Sequence, residues 1–345
     1  MEPKKIKNPT GMLIMHGTVI AVVLYMAWQL GRSYRAGGAE APSLTTLIVG
    51  LVLLVGLFLI FLLSLSRRTV HSADDLRKLV NLKCMAYIPS IKLKKHSSKE
   101  RLHLTITNPN ISASFTESIR NLRVKLIKYM DDRRQQVLLI TSTMPNEGKS
   151  TIATNLALSL ASEGKRVILI DGDLRKQSLK PLFGIGAHSD GLVEVLSGKA
   201  KNFRLLPVPD SGLLLLSGDG TVAQPQRLLG SPRMGQILEL LRQKLDYILI
   251  DTPPAGVLSD AAALAKYADG AIYVVRQDMA NSVQIVNSVQ SLSGAVPLYG
   301  CVLNCTQAGT TRSGYRYGYR YGYQYGYSSH YSHYSHYSSD SGDRR

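Results

Sequence analysis

Residues 136–151 read QVLLITSTMPNEGKST, and their pattern indicates the class of fold. Its first half is an aliphatic run, which predicts a buried strand. Its second half is a tight loop that ends in Gly148-Lys149-Ser150 and passes directly into an apolar helix. A strand, a loop and a helix in this order make a Walker A phosphate-binding arrangement, although Thr143 stands where the general pattern has its first glycine. The stretch therefore predicts an α/β protein that binds a nucleotide.

The loop is expected to hold ATP through its backbone amides and two of its side chains. Amides at a helix N-terminus bind phosphate oxygens, and Gly148 allows the backbone to approach them closely. Lys149 is expected to reach the β- and γ-phosphates, and the Ser150 hydroxyl to bind Mg²⁺. The predicted nucleotide contacts in the loop are Thr143, Pro145, Asn146, Glu147, Gly148, Lys149, Ser150 and Thr151.

Three aspartates follow two further aliphatic runs. Asp171 and Asp173 come after the first of these runs, and Asp251 comes after the second. In an open parallel sheet the strand ends that carry such residues lie at one edge, where ligands bind. Each aspartate alone is equally well explained as the N-cap of a following helix. Together with the loop, the aspartates favour a Mg²⁺ site formed by Ser150, Asp171 and Asp251.

Five short runs between residues 136 and 305 are uniformly apolar and alternate with helical stretches. Strands of this composition are buried on both faces, which predicts a P-loop NTPase-type, mostly parallel sheet with helices on both faces. The predicted strands are residues 137–140, 167–170, 247–250, 271–275 and 300–303.

Two apolar runs near the amino terminus predict a transmembrane hairpin, with spans at about residues 12–30 and 45–65. The formal net charge is +17, and basic residues crowd the outer ends of both runs. By the positive-inside rule, both termini and the main domain are expected on the cytoplasmic side of a bacterial plasma membrane. The same pattern makes anionic lipid, and not nucleic acid, the expected polyanionic partner. A cleaved signal peptide with Ala39-Glu40-Ala41 as its cleavage site is the competing interpretation of the first run.

The chain has three cysteines, Cys84, Cys301 and Cys305. They form no CxxC pair and no metal-ligand spacing. Because they fall in the part expected in the cytoplasm, reduced and partly buried thiols are predicted.

The segment after Gly309 is of low complexity and is expected to be disordered. It contains ten tyrosines, which are Tyr315, Tyr317, Tyr319, Tyr321, Tyr323, Tyr325, Tyr327, Tyr331, Tyr334 and Tyr337. An adhesive, aggregation-prone tract is one interpretation of this composition. Metal binding by His330, His333 and His336 is another. Beside an ATP site, we interpret the flexible tyrosines as substrates of phosphorylation.

Several motifs carry a resemblance to a known family. They are the Walker loop, Asp171-x-Asp173-x-Arg175, the Ile-Asp-Thr-Pro-Pro sequence around Asp251, Asp260-Ala261 and the tyrosine cluster. Together they resemble the bacterial tyrosine kinase (BY-kinase) family, the Wzc/CapB-type cytoplasmic kinases of polysaccharide co-polymerases. Glu117, Arg120 and Arg123 are similar to the ring-forming Glu-x-x-Arg-x-x-Arg motif of that family. A solvated helix face with an internal ion pair is the alternative explanation of these three residues.

The resemblance implies an ATP- and Mg²⁺-dependent protein tyrosine autokinase. Such a kinase phosphorylates its tail between the subunits of a ring-like homo-oligomer and regulates the assembly or chain length of an exopolysaccharide or capsule export system. The catalytic residues that the resemblance implies are Lys149, Asp171, Asp173 and Asp251. Asp171 would assist the tyrosine hydroxyl as a base or position metal-bound water, and Asn304 stands where related ATPases contact adenine. The implied partners are a separate membrane co-polymerase or export protein and a tyrosine phosphatase.

The expected organisation has five parts. They are a cytoplasmic amino terminus (1–11), the transmembrane hairpin (12–66), a basic juxtamembrane linker (67–111), the kinase domain (112–309) and the disordered tail (310–345). The short loop between the predicted spans has no room for the large extracytoplasmic domain of the family, so a partner is expected to supply it.

The chain also departs from the family pattern inside the domain. Asn146 replaces a glycine of the loop, and Gln224-Pro225 stands where Asn-Pro is expected. Two other functions stay open. One is a ParA/MinD-type membrane ATPase, which shares the fold but carries a second loop lysine roughly where this chain has Met144. The other is a nucleotide-gated scaffold that transfers no phosphoryl group.

Overall fold

One sheet organises the part of the chain that the computed structural model describes, which is residues 69–91, 104–186, 190–219 and 222–307, with residues 50, 52 and 54–58. The strands are β1 (Cys84–Pro89), β2 (Val137–Ser142), β3 (Val167–Asp171), β4 (Leu206–Pro207), β5 (Leu214–Leu216), β6 (Tyr247–Asp251), β7 (Gly270–Arg276) and β8 (Leu298–Thr306). They lie in the order β1-β8-β7-β2-β6-β3-β5-β4. Neighbouring strands are parallel except β4 and β5, which are antiparallel.

Helices cover both faces of this sheet. They are α1 (Ala73–Val80), α2 (Ala113–Asp131), α3 (Lys149–Ala161), α4 (Leu179–Leu182), α5 (Leu192–Leu196), α6 (Pro225–Leu229), α7 (Pro232–Arg242), α8 (Asp260–Ala265) and α9 (Ser282–Ser293). Successive strand residues point to opposite faces, so the buried side chains divide into two cores. Ile140 and Leu156 belong to the core beneath α2 and α3. Leu139 and Leu238 belong to the core beneath α7, α8 and α9.

The predicted fold class is confirmed for the described residues. Each of the five predicted apolar runs forms a strand, namely β2, β3, β6, β7 and β8. The burial of β2, β3 and β6 is complete along their length, as expected for central strands of a sheet that is covered on both faces. The sequence pattern did not indicate β1, β4 or β5.

The segment 67–111 is not simply a linker, and that prediction is corrected by β1. Strand β1 pairs in parallel with β8, and its residue Ile88 is fully buried. Helix α1 precedes it and begins behind a capping box formed by Ser72 and Asp75. The segment resembles a linker because its polarity is mixed, whereas its burial depends on contacts with α2 and β8 that are distant in sequence. The folded unit therefore begins before the predicted boundary at residue 112.

The predicted spans and the tyrosine-rich tail fall outside the described residues, except that residues 50, 52 and 54–58 are helical. Among the residues that are described, no helix is both long enough and apolar enough to cross a membrane.

Candidate nucleotide and metal site

The phosphate loop, residues 143–151, connects β2 to α3 at the carboxyl edge of the sheet. Helix α3 begins at Lys149 behind Gly148, whose φ is 91°. Asn146 also lies in the left-handed region, with a φ of 66°. This backbone conformation explains the departure from the family pattern, because asparagine is the residue after glycine that adopts it most readily. The loop keeps the shape that a glycine would allow, and it aims the N-terminus of α3 at the site.

Asp171 and Asp251 lie side by side where β3 and β6 end. They are register partners in the sheet, and both are fully buried. By the alternation of strand residues they share the face covered by α3, because Leu169 and Leu249 belong to that core. One oxygen of Asp171 accepts hydrogen bonds from the amide of Leu179 (3.2 Å) and from the Ser217 hydroxyl (3.3 Å).

Three carboxylate oxygens at this point have no hydrogen-bond partner among the described residues. They are Oδ1 of Asp171 and both side-chain oxygens of Asp251. Buried polar atoms are normally paired, so each exception in a native structure calls for an explanation. Negative oxygens that face each other at a nucleotide loop are the donor set of a hard cation. The residues present therefore fit Mg²⁺.

The electrostatics of the two carboxyls agree with this fit. Burial, together with the negative charge of Asp251, raises the pKa of Asp171 to about 8. Burial also raises the pKa of Asp251, and the charge of Lys149 opposes the rise. Ser150 lies close enough to oppose it as well, although its hydroxyl makes no hydrogen bond of good geometry to Asp251. A divalent cation would relieve the repulsion between the two carboxyls.

The Lys149 side chain lies near Asp173 and is close enough to influence the pKa of Asp251. Its Nζ lies 3.2 Å from the Ser150 hydroxyl and 3.9 Å from an oxygen of Asp173. Asp173 is also held by the amide of Lys176. The structure therefore brings together Lys149, Ser150, Asp171, Asp173 and Asp251, as their positions at the strand ends predict.

Two other residues predicted to contact the nucleotide, Thr143 and Glu147, instead use their side chains to support the loop. Glu147 is fully buried, and its carboxylate accepts hydrogen bonds from the amides of Met144 (2.6 Å) and Arg276 (3.3 Å). The Thr143 hydroxyl is buried against the Tyr273 hydroxyl at 2.9 Å. The side chains of Thr143 and Glu147 thus connect the phosphate loop to β7, and only their backbone groups remain for a ligand.

Asn304 contacts the loop directly. Its side-chain amide donates to the carbonyl oxygen of Glu147 at 2.8 Å. A Cβ atom at Gly148 would lie 2.1 Å from this amide, so glycine is required there for space as well as for its backbone conformation. Contact with adenine stays a prediction, while support of the phosphate loop is what the geometry of Asn304 shows.

Ser217 is a site residue that the sequence did not indicate, and Arg175 is a motif residue for which the sequence predicted no role. Ser217 follows β5 and holds Asp171, and an aliphatic run ending in a polar residue, at 213–217, is the signal that would have found it. Arg175 makes two hydrogen bonds to the buried carboxylate of Asp260, at 2.9 and 3.3 Å. This pair joins the loop after β3 to the start of α8.

The three residues of the predicted ring motif separate in the structure. Glu117 and Arg120 are exposed, with side chains that are 61% and 58% accessible and 3.7 Å apart. Arg123 is only 11% accessible and binds Glu163 and the carbonyl oxygen of Ser159, at the end of α3. The exposed pair is available for a subunit contact, whereas Arg123 joins α2 to α3 within one chain.

No cluster of three or more histidine, cysteine or acidic side chains suited to a metal occurs in the described ranges. A Mg²⁺ ion at a nucleotide site does not require one, because phosphate oxygens and water complete its coordination. A parallel sheet, a phosphate loop at the N-terminus of a helix, and aspartates on the adjacent strand ends define a P-loop NTPase. Nucleotide binding follows from that class.

Comparisons with known proteins identify the family. The ParA family model, described as NUBPL iron-transfer P-loop NTPase, matches residues 133–315. The tyrosine-protein kinase CpsD of Streptococcus pneumoniae is 36% identical over 171 residues, which are 49% of this chain and 75% of CpsD. The solved kinase domain of the Escherichia coli tyrosine kinase ETK superposes with a TM-score of 0.61 and 26% identity, over 70% of this chain and 96% of that domain. The chain belongs to the bacterial tyrosine kinase family of P-loop NTPases.

The longer relatives extend well beyond this chain. The succinoglycan biosynthesis transport protein ExoP of Rhizobium meliloti is 28% identical over 261 residues, which are 66% of this chain and 33% of ExoP. A relative from Klebsiella pneumoniae is covered over 37% of its length. The chain thus spans about a third of these relatives.

Proposed function

We propose that the protein is an ATP- and Mg²⁺-dependent tyrosine autokinase that modifies its own carboxyl-terminal tyrosines. The observation that carries this proposal is the set of unpartnered oxygens of Asp171 and Asp251, within the described part of the chain, beside Lys149 and Ser150. A site with these groups binds Mg²⁺ and nucleotide phosphates together. Family membership supports phosphoryl transfer to tyrosine as the reaction.

Each site residue has a distinct task in this proposal. Mg²⁺ would supply charge neutralisation between the phosphates of the nucleotide. Ser150 and Asp251 would hold it, with Asp171 as the neighbouring ligand, and Lys149 would bind the β- and γ-phosphates. Asp173, 3.9 Å from the Lys149 ammonium group, would help to orient it toward the phosphates.

Asp171 is the proposed base for the tyrosine hydroxyl. Its Oδ2 is held by Leu179 and Ser217, while Oδ1 has no partner among the described residues. A carboxylate that keeps one oxygen free of hydrogen bonds within the described residues can accept a hydroxyl proton or position metal-bound water. The hydrogen bond from Ser217 fixes the direction in which the other oxygen points.

The tail is the proposed substrate because of where it begins. Strand β8 runs parallel to β2 and β6 through β7, so its carboxyl end at Thr306 lies at the edge of the sheet that carries the site. From its composition we expect the tail to behave as a flexible chain, and a flexible chain of this length would have an r.m.s. span of about 30 Å, enough to reach a neighbouring subunit. Transfer between subunits of a ring-like homo-oligomer is therefore proposed, with Glu117 and Arg120 at the contact.

The cellular setting is proposed from the sequence. We place the protein at the bacterial plasma membrane, with two spans, both termini in the cytoplasm, and anionic lipid beside the basic segment. The name of ExoP supports a role in an exopolysaccharide export system, with a membrane co-polymerase as partner. Removal of phosphate from the tail would require a tyrosine phosphatase.

Phosphorylation would reverse the charge of the tail. From Thr311 onward, five arginines against two aspartates give it a net charge of +3. Each phosphotyrosine adds about −1.5 to −2, so ten would bring the tail to about −12 to −17. We propose that repulsion between such tails causes the ring-like oligomer to disassemble.

Replacing the loop lysine tests the proposal. Lys149→Met should abolish phosphotyrosine and Mg²⁺-dependent ATP binding while leaving the fold intact, as judged by circular dichroism. Lys199→Met, at an exposed lysine outside the site, is the matched control and should keep both activities. Undiminished phosphotyrosine in Lys149→Met would end the kinase hypothesis. ATP hydrolysis by the unchanged protein without any phosphotyrosine would instead favour a ParA/MinD-type ATPase.

A mixing experiment tests transfer between subunits. The Lys149→Met protein is combined with an active chain that lacks residues 310–345. Phosphate should then appear on the tail of the inactive partner. An unlabelled mixture would exclude transfer in trans.

A further inference from the structure

We propose that Cys84 and Cys301 form a redox pair, which peroxide converts to a reversible intramolecular disulfide between β1 and β8. The two residues are register partners in adjacent parallel strands. This modification site lies on the edge strand β1 and on its neighbour β8. The inference does not depend on the kinase activity.

The backbones of β1 and β8 approach closely at this point. The amide of Cys301 donates to the carbonyl oxygen of Lys83 at 2.9 Å. Gly300 makes the approach possible, because a Cβ atom there would lie 2.5 Å from that same carbonyl oxygen. The Sγ atom of Cys301 is 3.6 Å from the Lys83 oxygen, directly beside the start of Cys84. The thiol of Cys301 therefore contacts Lys83, the residue that directly precedes Cys84.

Both side chains are on the same face of the sheet. Cys301 is part of the core beneath α9, and Cys84 packs against that core. Neighbouring strands lie about 4.8 Å apart. Disulfides span Cα separations of about 4.4–6.8 Å, so register partners on adjacent strands fall within this range. A register shift interrupts the regular pairing of β1 between Cys84 and Ala86.

The two thiols differ in the way that a nucleophile and a resolving thiol differ. Cys84 is partly exposed, and Cys301 is buried. The neighbouring Cys301 thiol lowers the pKa of Cys84 below its ordinary value, against the effect of burial, and the charge of Lys125 adds to the lowering. The proximity of Cys84, together with burial, raises the pKa of Cys301. Reactive cysteines are those that combine a low pKa with access to solvent.

The proposed chemistry balances with one peroxide per pair. The Cys84 thiolate attacks one oxygen of hydrogen peroxide, its sulfur is oxidised to sulfenic acid, and hydroxide leaves. The sulfur of Cys301 then attacks the Cys84 sulfur, the S–S bond forms, and water leaves with the thiol proton. A small thiol reduces the disulfide again by exchange.

The disulfide would fasten the edge strand to the strand that carries Asn304. An edge strand such as β1 pairs with one neighbouring strand only, so a covalent bond to β8 would stabilise its pairing. Because Asn304 lies three residues after Cys301 and supports the phosphate loop, the bond would stiffen that support.

Thiol counting in the full-length protein tests the proposal. The reduced protein, kept in detergent, is treated with hydrogen peroxide, denatured and alkylated, and the free thiols are counted by mass spectrometry. Of the three cysteines in the chain, we expect one to remain free, with loss of two hydrogen atoms and a peptide that joins Cys84 to Cys301. Dithiothreitol should restore all three.

Single replacements give the controls. Cys84→Ser should keep both of its remaining thiols under the same treatment, and Cys305→Ser should lose both of its thiols. Cys301→Ala should form no disulfide, and its Cys84 should carry added oxygen instead, because the resolving thiol is missing. Three thiols in the treated wild-type protein, oxygen added to its Cys84 without a crosslink, a peptide joined through Cys305, or chains joined to each other would each overturn the proposal. The wild-type peptide map decides the question even where a variant folds poorly.

Discussion

Replacing Asp251 with asparagine should make the protein more stable when Mg²⁺ is absent. Both oxygens of this fully buried carboxylate lack a partner among the described residues, and Asp171 lies beside it as its register partner. Asparagine has nearly the same shape but carries no charge. Its amide would donate to Oδ1 of Asp171, which has no partner in the described part of the chain either.

The expected gain follows from the cost of unpaired buried groups. An unsatisfied buried polar group costs about 1–3 kcal/mol, and more when it is charged. Because the new amide satisfies only part of the site, we expect a gain of about 1–2 kcal/mol. For a folded unit of more than 200 residues this raises Tm by roughly 2–8 °C.

Mg²⁺ and ATP should reverse the order of stability. A ligand at about 100 times its Kd stabilises the folded state by about 2.7 kcal/mol. The wild-type protein should show an increase of this size with Mg²⁺ and ATP, and the Asp251→Asn protein should not, because it has lost a ligand to the cation. Thermal unfolding in EDTA and in saturating Mg²⁺ with ATP measures both effects.

Asp269→Asn is the matched control. The Asp269 carboxylate accepts hydrogen bonds from the amides of Gln136 (2.8 Å) and Val137 (2.7 Å) and from both terminal nitrogens of Arg242. Its replacement should therefore lower Tm with and without Mg²⁺. If Asp251→Asn also lowers Tm in EDTA, the unpaired oxygens are not a source of instability, and the argument for a cation site from them is refuted.

Three further predictions concern the loop, the edge strand and pH. Asn146→Ala should lower the free energy of unfolding by about 1 kcal/mol relative to Asn146→Gly, because alanine in the left-handed region costs about that much; urea unfolding measures both, and equal stabilities would contradict the assignment of strain. A chain that begins at Ser112 lacks β1 with its buried Ile88 and should be insoluble or much less resistant to urea than one that begins at Thr69; equal midpoints in urea would show that β1 adds nothing to the fold. Burial alone would raise the pKa of Asp269, but the hydrogen bonds from Arg242 and two amides lower it below its ordinary value. The stability that this carboxylate contributes is thus present above about pH 4 and is lost as pH falls through the lowered pKa. Urea unfolding between about pH 5 and pH 3 should show a larger loss for the wild-type protein than for Asp269→Asn, and parallel curves would contradict the assignment.

The central sheet and the positions of the proposed site residues along it follow from the sequence alone. Apolar runs of four to five residues that are buried on both faces are visible without tertiary contacts, as at residues 137–140 and 247–250. The phosphate loop and the aspartates at the strand ends follow from the same pattern, because in parallel strands the carboxyl ends meet at one edge. The sequence therefore predicts Asp171, Asp251 and Lys149 at one edge of the sheet, where the structure has them.

The side chains that support the loop, and the residue at which the fold begins, depend on tertiary contacts. Asn304 contacts Glu147 from 157 residues away, and Arg123 turns inward to Ser159 although its spacing from Glu117 predicts a shared surface. Strand β1 reads as a linker because its mixed side chains become buried only when α2 and β8 cover them. Local patterns report what a segment buries within its own element. The free energy of these contacts comes from partners that are distant in sequence, and no local pattern encodes which partners will meet.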